Sequence, residues 1–281
     1  MRHRIALRVG LVGFRIGSDW RAPIAALDAL YRDYPRADFA HYSVRLEAAS
    51  LARRWLRPAV RTMGDYHLPD AAPLALAHGL LAAEMGMNLQ VALGHRRHLL
   101  LHAAVVARGD RAILMSGVSG AGKSTLALLL SQRGWRFLGD EFALIDLTTG
   151  LAHPFPRPIS LKNESVALIP PDRLTGPLLS GTPKGEVRHV APDAAAVAAM
   201  DEPARPALMI FPRFGFPLTL QGMAPTETFV RLTQASTNYV ALGEAGFRAL
   251  TRLRAEVPAV ALDYPDGEAG VAAVESIWSA L

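Results

Sequence analysis

The sequence predicts an α/β protein in which a phosphate-loop domain follows a small α+β unit. Three observations carry this. The stretch ILMSGVSGAGKSTLALLLSQRG, from Ile113 to Gly134, passes from an apolar run through a glycine loop into a Leu- and Ala-rich segment. Short apolar runs and helix-patterned segments alternate on both sides of it, as layered sheet-and-helix proteins require. The patterning up to residue 97 is self-contained, so the expected division is 1–97 for the α+β unit and 98–281 for the phosphate-loop domain.

In chain order, the first twenty residues are basic, but Arg8, Gly10, Gly13 and Arg15 interrupt the apolar residues. That leaves no continuous signal-peptide core, and partial alternation predicts strands over 5–16. A helix is expected over 22–31, a strand over 39–46, and a hairpin around RTMGDYHL with Gly64-Asp65 at its turn. The most apolar long stretch, 72–94, contains His78, Glu84, Asn88 and Gln90. Those groups are costly in lipid, so the stretch reads as a buried helix. Two apolar runs flank Arg108-Gly109-Asp110, a hairpin that feeds the glycine loop. Further strands lie in WRFLGDEFALIDLTTGLAHPFPRPIS, with a turn at Thr149-Gly150. PDRLTGPLLSGTPKGEVRHVAP is rich in Pro and Gly and reads as a long mobile loop. Strands at 207–211, 217–220 and 259–264 follow. EAGFRALTRLRAE and DGEAGVAAVESIWSAL read as amphipathic helices, with Asp266 as a cap.

Bulk properties narrow the function. The chain is 51% hydrophobic and 20% charged, with a formal net charge of +5. The absence of cysteine excludes disulfides, thiolate metal sites and cysteine nucleophiles, and fits a reducing cytoplasm. The arginines are dispersed, with no dense basic run and no zinc-finger spacing, so neither a nucleic-acid nor a membrane partner is expected.

Gly117 to Ser124 fits G-x-x-x-x-G-K-[ST] between a strand and a helix. Glycines let the backbone curl and aim N–H groups at anionic oxygens, and the helix start adds its positive end. The expected nucleotide contacts are Gly117, Val118, Ser119, Gly120, Ala121, Gly122, Lys123, Ser124 and Thr125. Lys123 reaches the β- and γ-phosphates and the Ser124 hydroxyl ligates Mg²⁺. This motif alone does not separate a kinase from an ATPase or a nucleotide switch.

Asp140-Glu141 closes an apolar run after the loop's helix, a path that returns the carboxylates toward the loop. Mg²⁺ needs a carboxylate, and a kinase needs one to orient or deprotonate the attacking hydroxyl. His102 lies in LLLHAAVV; a histidine inside an apolar strand is most often a packed core residue. Arg157, Lys162, Lys184, Arg188 and Arg213 sit in or after Pro/Gly-containing loops. Phosphoryl transfer uses cations to balance charge, although most surface cations are simply solvated. Lys184, Arg157 and Lys162 are the candidates for the transferred phosphate or the acceptor.

LHAAVVARGDRAILMSGVSGAGKSTLALLLSQRGWRFLGDEFALID resembles the HPr kinase/phosphorylase group, in which a histidine on a strand precedes a phosphate loop and a paired acidic motif. The segments HPFPRPISLKNES, GTPKGEVRHVAP and FRALTRLRAEVPAVALDYPD are similar to the HPr-kinase-related kinase A family. The resemblance implies a core of the HPr kinase/phosphoenolpyruvate carboxykinase type, ATP and Mg²⁺ as cofactors, a serine of a protein or peptide as acceptor, and possible homo-oligomers. On that basis Asp140 is the expected base, Glu141 and Ser124 the Mg²⁺ ligands, and His102 the support of the acidic pair. A small-molecule hydroxyl kinase and a non-catalytic nucleotide-binding module are the competing readings.

Overall fold

A computed structural model describes all residues, Met1–Leu281. The chain begins with β1 (His3–Val9), β2 (Val12–Ser18), α1 (Arg21–Leu30), β3 (Tyr42–Ala48), β4 (Ala59–Gly64), β5 (Leu74–Ala75) and α2 (Gly79–Gly94). Then come β6 (His98–Leu101), β7 (Ala103–Arg108), β8 (Arg111–Ser116), α3 (Lys123–Gln132), β9 (Arg136–Gly139), β10 (Ala143–Asp146) and β11 (Ala152–His153). The rest is β12 (Ile159–Lys162), β13 (Leu179–Thr182), β14 (Gly185–Val190), α4 (Ala194–Ala198), β15 (Arg205–Phe214), β16 (Thr219–Gly222), α5 (Pro225–Ala235), α6 (Glu244–Glu256), β17 (Ala259–Tyr264) and α7 (Gly267–Ser279). No helix is long and apolar enough to cross a membrane.

Two compact units emerge: Met1–His95 with Ser160–Ala191, and Arg96–Ile159 with Pro192–Leu281. This corrects the expected division at 97/98, because a segment far along the sequence belongs to the first unit.

In the first unit, the five-stranded sheet runs β1-β2-β3-β4-β5, with β2 and β3 parallel and the other pairs antiparallel. Ile5, Leu7 and Val9 alternate into the core opposite Ile16, Phe14 and Val12, the period-two pattern of a half-buried strand. The apolar stretch expected as one helix over 72–94 divides: α2 starts only at Gly79, after β5 and a single 3₁₀ turn. Gly86 allows α2 to lie tight on the sheet. A Cβ there would stand 2.7 Å from Val44 and 2.8 Å from Thr62. The polar Gln90 is buried because its side chain takes both main-chain groups of Tyr66, accepting from N at 2.9 Å and donating to O at 2.8 Å. That interaction replaces the tight hairpin expected at Gly64-Asp65: β4 pairs back onto β3, and the chain then runs on to β5.

The stretch expected to be a mobile loop also contains structure. β13 and β14 form an antiparallel hairpin in the sheet β12-β14-β13. Leu179 and Val187 are buried against Leu81, Thr182 Oγ1 donates to Gly185 O at 2.7 Å, and Glu186 N donates to Asn163 Oδ1 at 3.1 Å. Buried anchors outweigh the Pro/Gly composition here.

In the second unit, the six-stranded sheet runs β16-β17-β15-β8-β7-β9. β8, β15 and β17 are mutually parallel, and β7 runs antiparallel to both β8 and β9. The carboxyl ends of β8, β9, β15 and β17 therefore share one edge with the start of β7. The expected hairpin around Arg108-Gly109-Asp110 is β7–β8. A three-stranded sheet, β11-β10-β6, buries Leu99, Leu101, Ala143 and Ile145 in the same apolar core as Leu114, Met209 and Leu250. β9 and β10 belong to different sheets, so the chain changes sheet across 140–142. The composition around PTETFVRLTQA did not point to α5, whose polar face masks the buried Thr228 and Leu232. Asp266 caps α7 as expected, accepting from Ala269 N at 2.9 Å.

Glu275 ties α7 to β7 and α3's exit. It accepts from Arg108 at 2.7 and 2.8 Å and from Trp135 Nε1 at 2.8 Å, while the Arg108 guanidinium lies 4.3 Å from the Trp135 ring centroid. The Arg108 hydrogen bonds, followed by that from Trp135, hold its carboxyl below the ordinary glutamate range despite burial. A carboxylate lowered on folding contributes stability that is complete above its unfolded value and lost as pH falls through the folded one. Glu275→Gln should lower the melting temperature at pH 7 by about 2–4 °C, roughly 1 kcal/mol for a partly solvent-screened network. Thermal unfolding should show the gap to wild type closing in acid.

Candidate functional site

The glycine loop leaves β8 after Ser116 and enters α3 at Lys123. Gly120 and Gly122 have φ of +84° and +92°, the left-handed region that only glycine adopts without strain. At Gly122 a side chain would also collide with the Tyr264 hydroxyl and stand 3.2 Å from Phe214 Cβ. No side chain caps the start of α3. Lys123 is buried, and its ammonium donates to the carbonyls of Gly117 at 2.7 Å and Val118 at 3.1 Å. These bonds fold the lysine onto the loop. Val118, Ser119 and Gly120 are exposed at the tip, Ala121 is buried, and Gly117, Ser124 and Thr125 are half-buried.

Asp140 and Glu141 follow the last residue of β9, on the sheet edge from which the loop departs. Gly139 pairs with Val105 of β7, and Ala103 at the start of β7 pairs with Ser116, the last residue before the loop. Asp140 is only 5% exposed, while Glu141 is half-buried. His102 lies at the bend between β6 and β7 rather than inside a strand, because register there is interrupted as the chain changes sheet. Its backbone O accepts from Ser116 Oγ at 3.2 Å. Its Nδ1 is 3.1 Å from Glu141 O and 3.7 Å from Glu141 Oε2. The histidine thus meets the second acidic residue.

The candidate cations separate. Arg157 is buried in the second unit, and Phe155, two residues earlier, donates its N–H to Leu138 O of β9 at 2.6 Å. Lys162, Lys184 and Arg188 belong to the first unit. Lys184 occupies the β13–β14 turn, where its N–H donates to Thr182 Oγ1 at 3.1 Å, and Arg188 Nε donates to Gly176 O at 3.2 Å. Arg213 stands at the end of β15, paired in a fork with Asp263 of β17 and 4.0 Å from the Phe216 ring centroid.

The neighbours of the loop that the sequence did not point to come from β15 and β17. Tyr264 is buried with its hydroxyl against Gly122 and without a hydrogen-bond partner; burial raises its pKa and keeps it protonated. Its ring and that of Phe214 meet edge to face at 5.7 Å. A tyrosine ending an apolar strand reads as core, and only the parallel pairing of β8, β15 and β17 brings it to the loop.

No protein-family model and no curated protein matches the sequence. Among solved structures, the chain is similar to the Hpr(Ser) kinase/phosphatase from Coxiella burnetii, at 13% identity and a TM-score of 0.28, over 64% of this chain and 93% of that one.

Proposed function

We propose that the chain is a kinase that transfers the γ-phosphate of ATP to a hydroxyl, that of a serine in a protein or peptide, with Mg²⁺. The observation that carries this is the shared sheet edge: a left-handed glycine loop backed by a buried lysine, with two carboxylates at the end of β9. The open start of α3 and the loop N–H groups suit phosphate oxygens. Lys123 exchanges its loop carbonyls for the β- and γ-phosphates. The hydroxyl of Ser124 and the carboxylate of Glu141 fit a hard, oxygen-seeking ion, and Mg²⁺ held there supplies positive charge against the phosphates. Asp140 orients the acceptor hydroxyl and takes its proton as the oxygen attacks the γ-phosphorus and the bond to ADP breaks. His102 positions Glu141, and Arg157 is the cation carried beside β9. The serine acceptor rests on the family resemblance of the segment around the loop.

Incubation with γ-labelled ATP, Mg²⁺ and a cell lysate, followed by mass spectrometry, should place phosphate on protein serine. Label on a small alcohol would move the acceptor class. Nucleotide binding without transfer to any acceptor would overturn the kinase reading and leave a nucleotide-binding module.

A further inference from the structure

The three-stranded sheet of the second unit carries a second cluster, away from the glycine loop. His98 of β6 stands directly opposite Asp146 of β10, and His153 of β11 stands opposite Leu144. Residues paired across a ladder share a face, as do residues two apart along a strand, so His98, Asp146 and His153 project from the same side of the sheet. That side is the reverse of the one bearing Leu99, Leu101, Ala143 and Ile145. One ligand atom from each of the three residues lies within 4.8 Å of the other two, and the imidazole centroids are 5.0 Å apart at an interplanar angle of 64°. His98 is buried; Asp146 and His153 are half-buried, which leaves an approach from solvent.

We infer that His98, Asp146 and His153 form a binding site for a divalent transition-metal ion of the Zn²⁺ or Co²⁺ kind. Two imidazole nitrogens and one carboxylate oxygen are a donor set that such ions prefer over Mg²⁺ or Ca²⁺, with further positions open to water. The surroundings hold the donors in place, as ligands require. Asp146 Oδ1 accepts from Thr148 N at 2.9 Å, Thr149 N at 2.6 Å and Thr149 Oγ1 at 2.9 Å, so Oδ2 is the oxygen assigned to the ion. Arg252 braces the same turn through the carbonyls of Asp146, Leu147 and Thr148. Asn238 pins β6, donating to His98 O and accepting from Leu100 N, both at 2.9 Å. Arg97 and Arg252 add positive charge nearby, which the Asp146 carboxylate offsets. The site lies at the other end of the β6–β10 ladder from His102 and Glu141, roughly 13 Å away at about 3.3 Å per residue. An ion there clamps β11 to β6 across β10, and this inference does not depend on the kinase reading.

The full chain, stripped with a chelator and dialysed, should be titrated with Co²⁺ by visible absorption and with Zn²⁺ by competition. Wild type should bind one equivalent. His153→Ala should weaken binding at least about 100-fold, and Thr149→Val, which removes a bond orienting Asp146 and a 3.3 Å bond from Leu151 N in the same turn, about 10-fold. His153 sits on a short, half-buried strand, and His153→Gln serves if the alanine variant misfolds. Added Zn²⁺ should raise the melting temperature of wild type but not of the His153 variants. The chain has nine histidines, so binding that survives equally in every variant, or no binding by wild type, overturns the site.

Discussion

Lys123→Ala should abolish nucleotide binding while leaving the fold in place. The ammonium is buried behind the loop and already donates two hydrogen bonds to loop carbonyls. Toward β- and γ-phosphates the same donors meet anionic acceptors, in bonds worth roughly 1.5–3 kcal/mol each. Two of them amount to about 3–6 kcal/mol, a loss of roughly 10²–10⁴ in affinity. The substitution also removes this donor from the Gly117 and Val118 carbonyls, but Val118 is exposed and Gly117 half-buried, so water can replace it and the cost to the fold is small. Isothermal titration with ATP and Mg²⁺ should therefore accompany circular dichroism and thermal unfolding. A folded variant with wild-type affinity would remove Lys123 from the phosphate site. Lys123→Met, which keeps the aliphatic volume, distinguishes lost charge from lost packing.

Asp140→Asn should separate binding from chemistry. The residue directly follows β9 on the loop's sheet edge and is almost fully buried, so its carboxylate interacts in a medium of low dielectric constant. Asparagine keeps the shape but cannot accept the hydroxyl proton. Phosphoryl transfer should fall by about 10²–10⁴-fold, the usual worth of a positioned base, with ATP affinity little changed. Single-turnover transfer from labelled ATP measures the first effect and calorimetry the second. Transfer at the wild-type rate would mean that another group takes the proton. Glu141→Gln should behave differently, raising the Mg²⁺ concentration needed for half-maximal transfer, because Glu141 is read as a ligand and not as the base.

The glycine loop was legible because everything that defines it is contiguous: an apolar strand, glycines at positions of positive φ, and a lysine and a serine that open a helix. The β7–β8 hairpin was legible for the same reason, with Gly109 at φ +61° between two apolar runs. So was the cap of α7 at Asp266, since a side chain accepting from a backbone N–H three residues later is a local event. Composition misled where a few buried anchors decide the outcome. Pro and Gly around Lys184 suggested a loop, yet Leu179 and Val187 bury a hairpin. In α5 the exposed polar face outweighed the narrow buried one.

By itself, then, the sequence determined an α/β chain with a strand–glycine loop–helix unit and an acidic pair one strand further on. Tertiary structure alone decided that Ser160–Ala191 belongs with the first unit, that β9 and β10 lie in different sheets, and that Tyr264 reaches Gly122. It also decided that His98, Asp146 and His153 share one face of a sheet. The reason is register. Hydrogen-bonded pairing between strands distant in sequence sets which side chains stand opposite one another, and a one-residue slip would turn each to the other face. Periodicity within a strand shows which residues alternate, but the partner strand determines what they meet.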